Sequence, residues 1–286
     1  RVLTKYNNVY VTEHGVLFTE HAVIEESYIF PDHSNKFSRS FLQKTKQKRN
    51  TKKIKSENNL VLFNYWSTNY FHWLADDLVR LQALLDNFKT SRFSVFIPKD
   101  APLFIFDSLK HFNVNVEVFK TNEVLFFNNV FYTNTLSPSG LIHPKFLDVV
   151  KKIKSKVNTG NRKLYISRNN SQVRKILNEN ELIPLLKKHN FEIVQCENLS
   201  FDMQVELFCN AKIVIGPHGA GLTNTCFMEK GTVIEIGSED INPCFANMSS
   251  LVGSDHHYFL CSVSENNCFY LTKENLEQID VLLEKC

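Results

Sequence analysis

The sequence predicts an α/β protein built from two Rossmann-like domains whose parallel sheets face a cleft. From residue 58 onward, short apolar runs of strand length alternate with amphipathic stretches of helix length, the pattern of a doubly wound sheet. At 286 residues the chain is long enough for two cores of ordinary domain size. Two clusters of turn formers, Ser137-Pro138-Ser139-Gly140 and Asn158-Thr159-Gly160-Asn161, interrupt the pattern near its middle. The domains are therefore read as residues 1–145 and 160–286, with the last helix available to pack back on the first domain.

Taken in order, residues 9–12 and 16–19 read as strands joined at Glu13-His14-Gly15, within an otherwise irregular first 58 residues. The run NLVLF at 59–63 reads as a strand, and Ser67-Thr68-Asn69 can cap a helix over 70–88. Strands at 92–97, 114–119 and 124–132, with a helix at 103–112, complete the first half. A helix near 144–157 leads to the second half, where strands are expected at 163–167, 191–194, 212–215, 232–236 and 258–263. Helices are expected there at 173–189, 201–211, 222–228, 243–252 and 273–286.

A composition of 43% hydrophobic and 22% charged residues is that of a soluble globular protein. The net charge of +3 is concentrated in the run from Lys44 to Lys55, which holds seven Lys or Arg and no acid. The remainder is slightly acidic, so nucleic acid is not an expected partner. The run reads as a solvated, mobile loop or, alternatively, as a patch touching anionic lipid or a polyanionic acceptor. Seven scattered cysteines, without C-x-x-C or zinc spacing, favour a reducing compartment. Sequons at Asn169, Asn198 and Asn247 are no more than chance gives in an Asn-rich chain. No apolar run reaches membrane-span length and no signal peptide is visible. The expected location is cytoplasmic, at the inner face of the plasma membrane where the basic run meets lipid. The chain starts at Arg1, not Met, which leaves room for an anchor or further domain upstream.

Chemistry concentrates in I-G-P-H-G-A-G-L-T-N at residues 215–224. A strand ending at Ile215 leads into a glycine-rich turn and a helix start, where backbone N–H groups and the helix dipole favour an anion such as a pyrophosphate. Gly219, Ala220, Gly221 and Leu222 would present the backbone, His218 a ring donor, and Thr223 and Asn224 side-chain hydrogen bonds. The alternative is a structural turn. Arg168 emerges directly after the strand KLYIS and suits phosphate oxygens, with Arg174 a turn into the next helix as a second candidate or a surface ion-pair member. Glu235, at the end of VIEIG, could accept from ribose hydroxyls or face solvent.

In the first half, His72 and Asp76 are four apart and share a helix face. Asp76 can serve as general base for an acceptor hydroxyl, or pair with Arg80 as a surface bridge. Asp77 is the weaker candidate. No Asp-x-Asp occurs, which favours phosphate neutralisation by helix N-terminus, Arg and His, without a metal or other cofactor.

These residues together resemble glycosyltransferase family 61, on NYFHWLADDL at 69–78, KLYISR at 163–168, LSFDMQVELFCNAKIVIGPHGAGLTN at 199–224 and VIEIG at 233–237. The chain's shortness and lack of secretory features make it most similar to the family's bacterial capsular polysaccharide branch. The resemblance implies a GT-B fold, a nucleotide-sugar donor (a UDP-sugar foremost) held mainly by the second half, and a glycan acceptor held mainly by the first. It also implies inversion by single displacement. His72 and Asp76 match the first-half motif, and Arg168, His218, Gly219, Asn224 and Glu235 the donor-side motifs. Val79-Arg80 stands where family members often have proline, a departure expected to affect helix shape. A non-catalytic nucleotide-sugar-binding module and another Rossmann sugar-nucleotide enzyme are the rival classes. The latter lacks its G-x-G-x-x-G fingerprint here.

Overall fold

The apolar runs pair into two separate main sheets, one in each of two units, Arg1–Pro138 and Ser139–Cys286. The computed structural model describes residues 3–28, 33–88, 91–138, 140–154, 160–240 and 242–285. Expectations for Ser139, for residues 155–157 of the bridging helix, for Asn158-Thr159 and for Cys286 lie outside them.

The first unit contains β1 (Leu3–Val11), β2 (Leu17–Phe18), β3 (Asn50–Ile54), β4 (Asn59–Val61), β5 (Phe93–Pro98), β6 (Val114–Phe119) and β7 (Glu123–Thr133). Their order is β2-β1-β7-β4-β5-β6, with β3 sharing the β4 side of β7. β4 to β7 are mutually parallel, but β1 runs antiparallel along β7, so this sheet is mixed and not wholly parallel as expected. The cause is the β1–β2 hairpin, which brings its long strand onto β7 without a crossover helix. Its turn needs Gly15, whose φ is 73° and whose added Cβ would lie 2.1 Å from the Phe63 carbonyl oxygen.

The basic run is not a loop. Ser38 caps a helix over Arg39–Lys48, and the remainder enters β3. Buried Leu42 and Ile54 anchor the two pieces, while Lys46 pairs with Glu20 and Arg49 with Glu13. Apolar anchors and acids distant in sequence thus order a segment whose composition alone reads as solvated.

The predicted helix at 70–88 forms in three parts: α-helix at Tyr70–His72, a π turn at Trp73–Asp77, and α-helix at Leu78–Asn87. Asn69 caps it, accepting from the Phe71 N–H at 3.0 Å. In the π turn the Leu78 N–H reaches back to the Trp73 carbonyl, inserting one residue into the helical register.

The second unit holds β8 (Arg162–Ile166), β9 (Glu192–Val194), β10 (Ala211–Pro217), β11 (Thr232–Gly237) and β12 (Asp255–Leu260), all parallel in the order β9-β8-β10-β11-β12. This is the doubly wound 2-1-3-4-5 order, whose reversal falls between β8 and β10. The expected strand at 258–263 is split between β12 and β13 (Ser262–Val263), which pairs with β14 (Phe269–Tyr270).

Two helix expectations change. The helix expected at 173–189 is confined to Glu179–Lys188. Upstream of it Arg174 takes a left-handed φ of 57°, and Arg174 and Leu177 donate to the carbonyls of Asn267 and Phe269 at 3.0 and 2.8 Å, so tertiary pairing overrides the pattern. Residues 220–227 form a 3₁₀ helix, Ala220–Phe227, in place of the α-helix expected at 222–228. The last helix, Lys273–Glu284, buries Ile279 and Leu283 in the second unit's own core beside Tyr165, Leu182 and Ile213.

Candidate functional site

In each unit the candidate residues gather where the strand order reverses, the place where open α/β sheets bind ligands. In the first unit that point lies between β4 and β7. The helix following β4 brings His72 and Asp76 together, His72 Nδ1 lying 2.8 Å from Asp76 Oδ2 with both side chains about a fifth exposed. The ring of Trp66 lies 5.2 Å from that of His72. A carboxylate partly open to solvent and oriented by an imidazole can accept a proton from a hydroxyl.

Asp76 does not pair with Arg80, as the alternative reading had it. Arg80 turns inward, only 2% exposed, and its Nη1 donates to Asp77 Oδ1 at 2.9 Å. Asp77 also accepts from Asn64 Nδ2 and the Ser67 hydroxyl, each at 2.6 Å. Arg80 Nε donates to the Thr133 carbonyl at 2.7 Å and Nη1 to that of Leu62 at 3.2 Å, so one guanidinium ties the ends of β7 and β4 together. Burial pushes the Asp77 carboxyl up to about 7, against the pull of Arg80 and the Ser67 hydroxyl. The π turn allows this arrangement, with Asp76 facing out and Asp77 in.

In the second unit the strand order reverses between Arg168, after β8, and His218-Gly219, after β10. The guanidinium lies against the glycine: a Cβ on Gly219 would fall 2.1 Å from Arg168 Nη1. Arg168 Nη2 donates to Ser171 Oγ at 3.0 Å, whereas its Nε is buried without a hydrogen-bond partner. Burial, and then the charge of Arg174, pull the Arg168 guanidinium below its usual value. Among the described residues neither arginine forms an ion pair with a carboxylate. Arg174 is not on a helix, as expected, but stands in the irregular segment beside Arg168.

The 3₁₀ helix changes which groups can meet a ligand. The Leu222 N–H already donates to the Gly219 carbonyl at 2.9 Å, and the Leu222 side chain is buried, so it leaves the set of expected backbone donors. Ala220 and Gly221, one and two residues into the helix, have no intrahelical partner for their N–H groups. Asn224 also leaves the set: it points into the core, donating to Gln204 Oε1 at 2.8 Å and the Gly221 carbonyl at 3.2 Å. Thr223 is buried with its hydroxyl unpartnered.

Glu235 is placed neither toward solvent nor toward a ribose. It is 1% exposed, with Oε1 bonded to His218 Nδ1 and Oε2 3.1 Å from His256 Nε2, an ion-pair contact in which Nε2 makes no hydrogen bond. Each oxygen thus faces an imidazole, Oε1 in a hydrogen bond to His218 and Oε2 in an ion-pair contact with His256 alone. Burial pushes the carboxyl up, but the two imidazoles outweigh it and hold it below the usual range. His256 was not legible as a site residue; the signal was a carboxylate inside a buried parallel strand, which must have a partner.

A cavity of about 440 Å³ opens beyond the ends of β11 and β12, lined by Ser238, Glu239, Asp240, Cys261, Thr272 and Asn275, groups suited to a hydroxyl-rich ligand. A larger one, about 570 Å³, lies against edge strand β9 by Arg162, Ile193 and Met203 and includes none of the candidate residues. Cys196, Cys226, Cys244, Cys261 and Cys268 are free thiols. Among the described residues no helix is long and apolar enough to cross a membrane.

The second unit thus sets Arg168 and the Gly219 turn at the switch point of a doubly wound α/β sheet, the position where sheets of this class take their ligands. Residues 70–234 match the family model described as Glycosyltransferase 61, and the chain belongs to that family. Ninety-four residues are 36% identical to the EGF domain-specific O-linked N-acetylglucosamine transferase of Drosophila melanogaster, covering 31% of this chain and 18% of that protein. For the transferase of the same description in Rattus norvegicus the figures are 33% over 100 residues, covering 33% and 19%. The matched stretch is about a fifth of the length of those relatives.

Proposed function

We propose that the protein is an inverting glycosyltransferase of the two-domain GT-B type, moving a sugar from a nucleotide-sugar donor to a hydroxyl of a glycan acceptor. The observation that carries this is the Arg168 guanidinium laid on Gly219, with Arg174 beside it and, among the described residues, no carboxylate paired to either. Such a seat suits a diphosphate: the guanidiniums, the Ala220 and Gly221 N–H groups and His218 meet the charge that develops as the sugar–phosphate bond breaks. Asp76, oriented by His72, takes the acceptor proton. The absence of Asp-x-Asp from the sequence supports charge neutralisation by these groups without a metal.

UDP-sugars are the donor class proposed, and capsular or other surface polysaccharide the acceptor, in the cytoplasm. Lys46 and Arg49 are engaged by acids, so the other lysines of the Lys44 to Lys55 run would make any contact with anionic lipid or a polyanionic acceptor. A second reading follows from the relatives, named for O-linked transfer to EGF domains: the hydroxyl acted upon belongs to a protein.

A thermal-shift panel of nucleotides tests the donor class. UDP at 100 times its dissociation constant should stabilise the second unit by about 2.7 kcal/mol. No stabilisation by any nucleoside diphosphate would remove the reading. Gly219→Ala should displace the Arg168 guanidinium and weaken UDP binding by about 10- to 100-fold, the loss of one or two charge-assisted hydrogen bonds. Unchanged affinity by calorimetry would show that Arg168 is not part of the seat.

A further inference from the structure

We propose that Trp66, supported by Tyr65, is the floor of an acceptor subsite on which the apolar face of a pyranose ring stacks beside Asp76. This deepens the transferase reading above and rests on Asp76 being the base. Both aromatics, and the His14 and Lys36 side chains around them, precede the stretch matched to the family.

The chain leaves β4 and turns over residues 64–69 before the helix that carries His72 and Asp76. Asn64 Oδ1 accepts from the Trp66 N–H at 2.8 Å, Ser67 Oγ accepts from the Asn64 N–H at 2.7 Å, and the Trp66 carbonyl accepts from the Asn69 N–H at 2.9 Å. The Asn64 and Ser67 side chains in turn donate to buried Asp77, the neighbour of Asp76. One buried network therefore fixes the turn and the base to each other, the pre-organisation that a binding floor needs.

Trp66 is partly exposed, with its ring centre 5.2 Å from that of His72, the imidazole that holds Asp76 at 2.8 Å. Tyr65, 37% exposed, meets Trp66 at 6.0 Å and 84°, edge to face. Tyr65 is itself held by the His14 ring at 5.4 Å and by the Lys36 ammonium, 3.9 Å over its centre. The Nε1 atom of Trp66 is buried, so the exposed part of the ring is carbon, which suits stacking rather than hydrogen bonding. Trp73 shows what a purely structural tryptophan looks like here: it is fully buried, with its Nε1 bonded to Ser108. An exposed aromatic surface beside a carboxylate matches a sugar. The C–H face of a pyranose is apolar and packs on a π face, while the hydroxyls at its rim need hydrogen-bond acceptors. The 5.2 Å from indole to imidazole is comparable to the width of one sugar ring, so a ring seated on Trp66 carries a rim hydroxyl to Asp76.

The chain has two tryptophans and Trp73 is fully buried, so fluorescence changes on adding sugar report Trp66. The whole protein is titrated with maltotetraose, cellotetraose and chitotetraose, each with and without saturating UDP. At least one should shift the emission and shield Trp66 from iodide quenching. For that sugar, followed by saturation-transfer NMR because the variant lacks the reporter, Trp66→Ala should weaken binding by about 10- to 100-fold. Trp66→Phe keeps a smaller ring and should lose less than about fivefold, with Tyr65→Ala between the two. UDP affinity should stay within about twofold in each, and thermal unfolding checks that each variant is folded. Binding of none of the three sugars, or equal binding by wild type and Trp66→Ala, would overturn the proposal. The base reading fails separately. If the sugar binds through Trp66 and Asp76→Asn still transfers to it, the floor stands as a sugar site and Asp76 is not the base. If Asp76→Asn abolishes transfer while Trp66→Ala binds sugar normally, the base stands and the floor falls.

Discussion

Asp76→Asn should leave UDP affinity within about threefold of wild type and lower sugar transfer by about 10²- to 10⁴-fold, the usual contribution of a positioned general base. The asymmetry follows from where the groups sit. Asp76 is on the helix after β4 in the first unit, whereas the arginines and the Gly219 turn belong to the second, so nucleotide binding has no reason to respond. Asparagine is nearly isosteric and can still accept from His72 at 2.8 Å, so the helix should hold. What it cannot do is take a proton. His72→Ala should lower transfer less, because an unoriented Asp76 remains a base. Initial rates at saturating donor, read beside calorimetric UDP affinity, separate the two effects. Transfer that survives in Asp76→Asn would remove the base assignment, and a matching loss of UDP affinity would show that Asp76 acts in binding instead.

The parts of this arrangement differ in how far they could be read ahead of the structure. The central strands β8, β10 and β11 were legible because parallel strands buried on both faces are near-continuous apolar runs, and KIVI before the glycines marked the end of β10, whereas the exposed edge strand β12, DHHYFL, carries no such run. The spacing of His72 and Asp76 was legible because helical period alone brings residues four apart onto one face. The inward turn of Asp77 was not. It depends on Asn64, Ser67 and Arg80 drawing the carboxylate into the core through a π turn, a tertiary demand with no local signature. The inward turn of Asn224 has no local signature either, since its amide donates to Gln204, twenty residues upstream. In sequence Glu235 is no more than a strand-end carboxylate, because His256, which faces it, comes from the next strand, where a lone histidine carries no pattern.

Replacing Arg80 by Met should destabilise the first unit by about 3–5 kcal/mol at and above neutral pH, a large part of the stability of an ordinary domain. Among the described residues Arg80 is the one cation paired with the buried Asp77 carboxylate, and it also satisfies the carbonyls of Leu62 and Thr133 where β4 and β7 end. Methionine fills most of the volume but leaves a buried charge uncompensated. The pH dependence has a definite sign. The folded Asp77 carboxyl lies above its ordinary value, up to about 7 even with Arg80 present. Its contribution to stability is therefore complete below about pH 4, where the carboxyl is neutral in folded and unfolded chains alike, and is lost as pH rises through about 7. Without Arg80 the folded carboxyl moves higher still, so the variant should lie close to wild type in acid and fall away from it as the pH rises. Both tryptophans, Trp66 and Trp73, flank this network, and Trp73 is fully buried with its Nε1 donating to Ser108 at 2.7 Å. Urea unfolding followed by tryptophan fluorescence thus reads the first unit alone. Adding Asp77→Asn to Arg80→Met removes the stranded charge and should recover much of the loss at pH 8 but little at pH 4.5. A penalty that is independent of pH, or one that Asp77→Asn does not relieve, would mean that Arg80 matters for its packing and its carbonyl bonds and not for its charge.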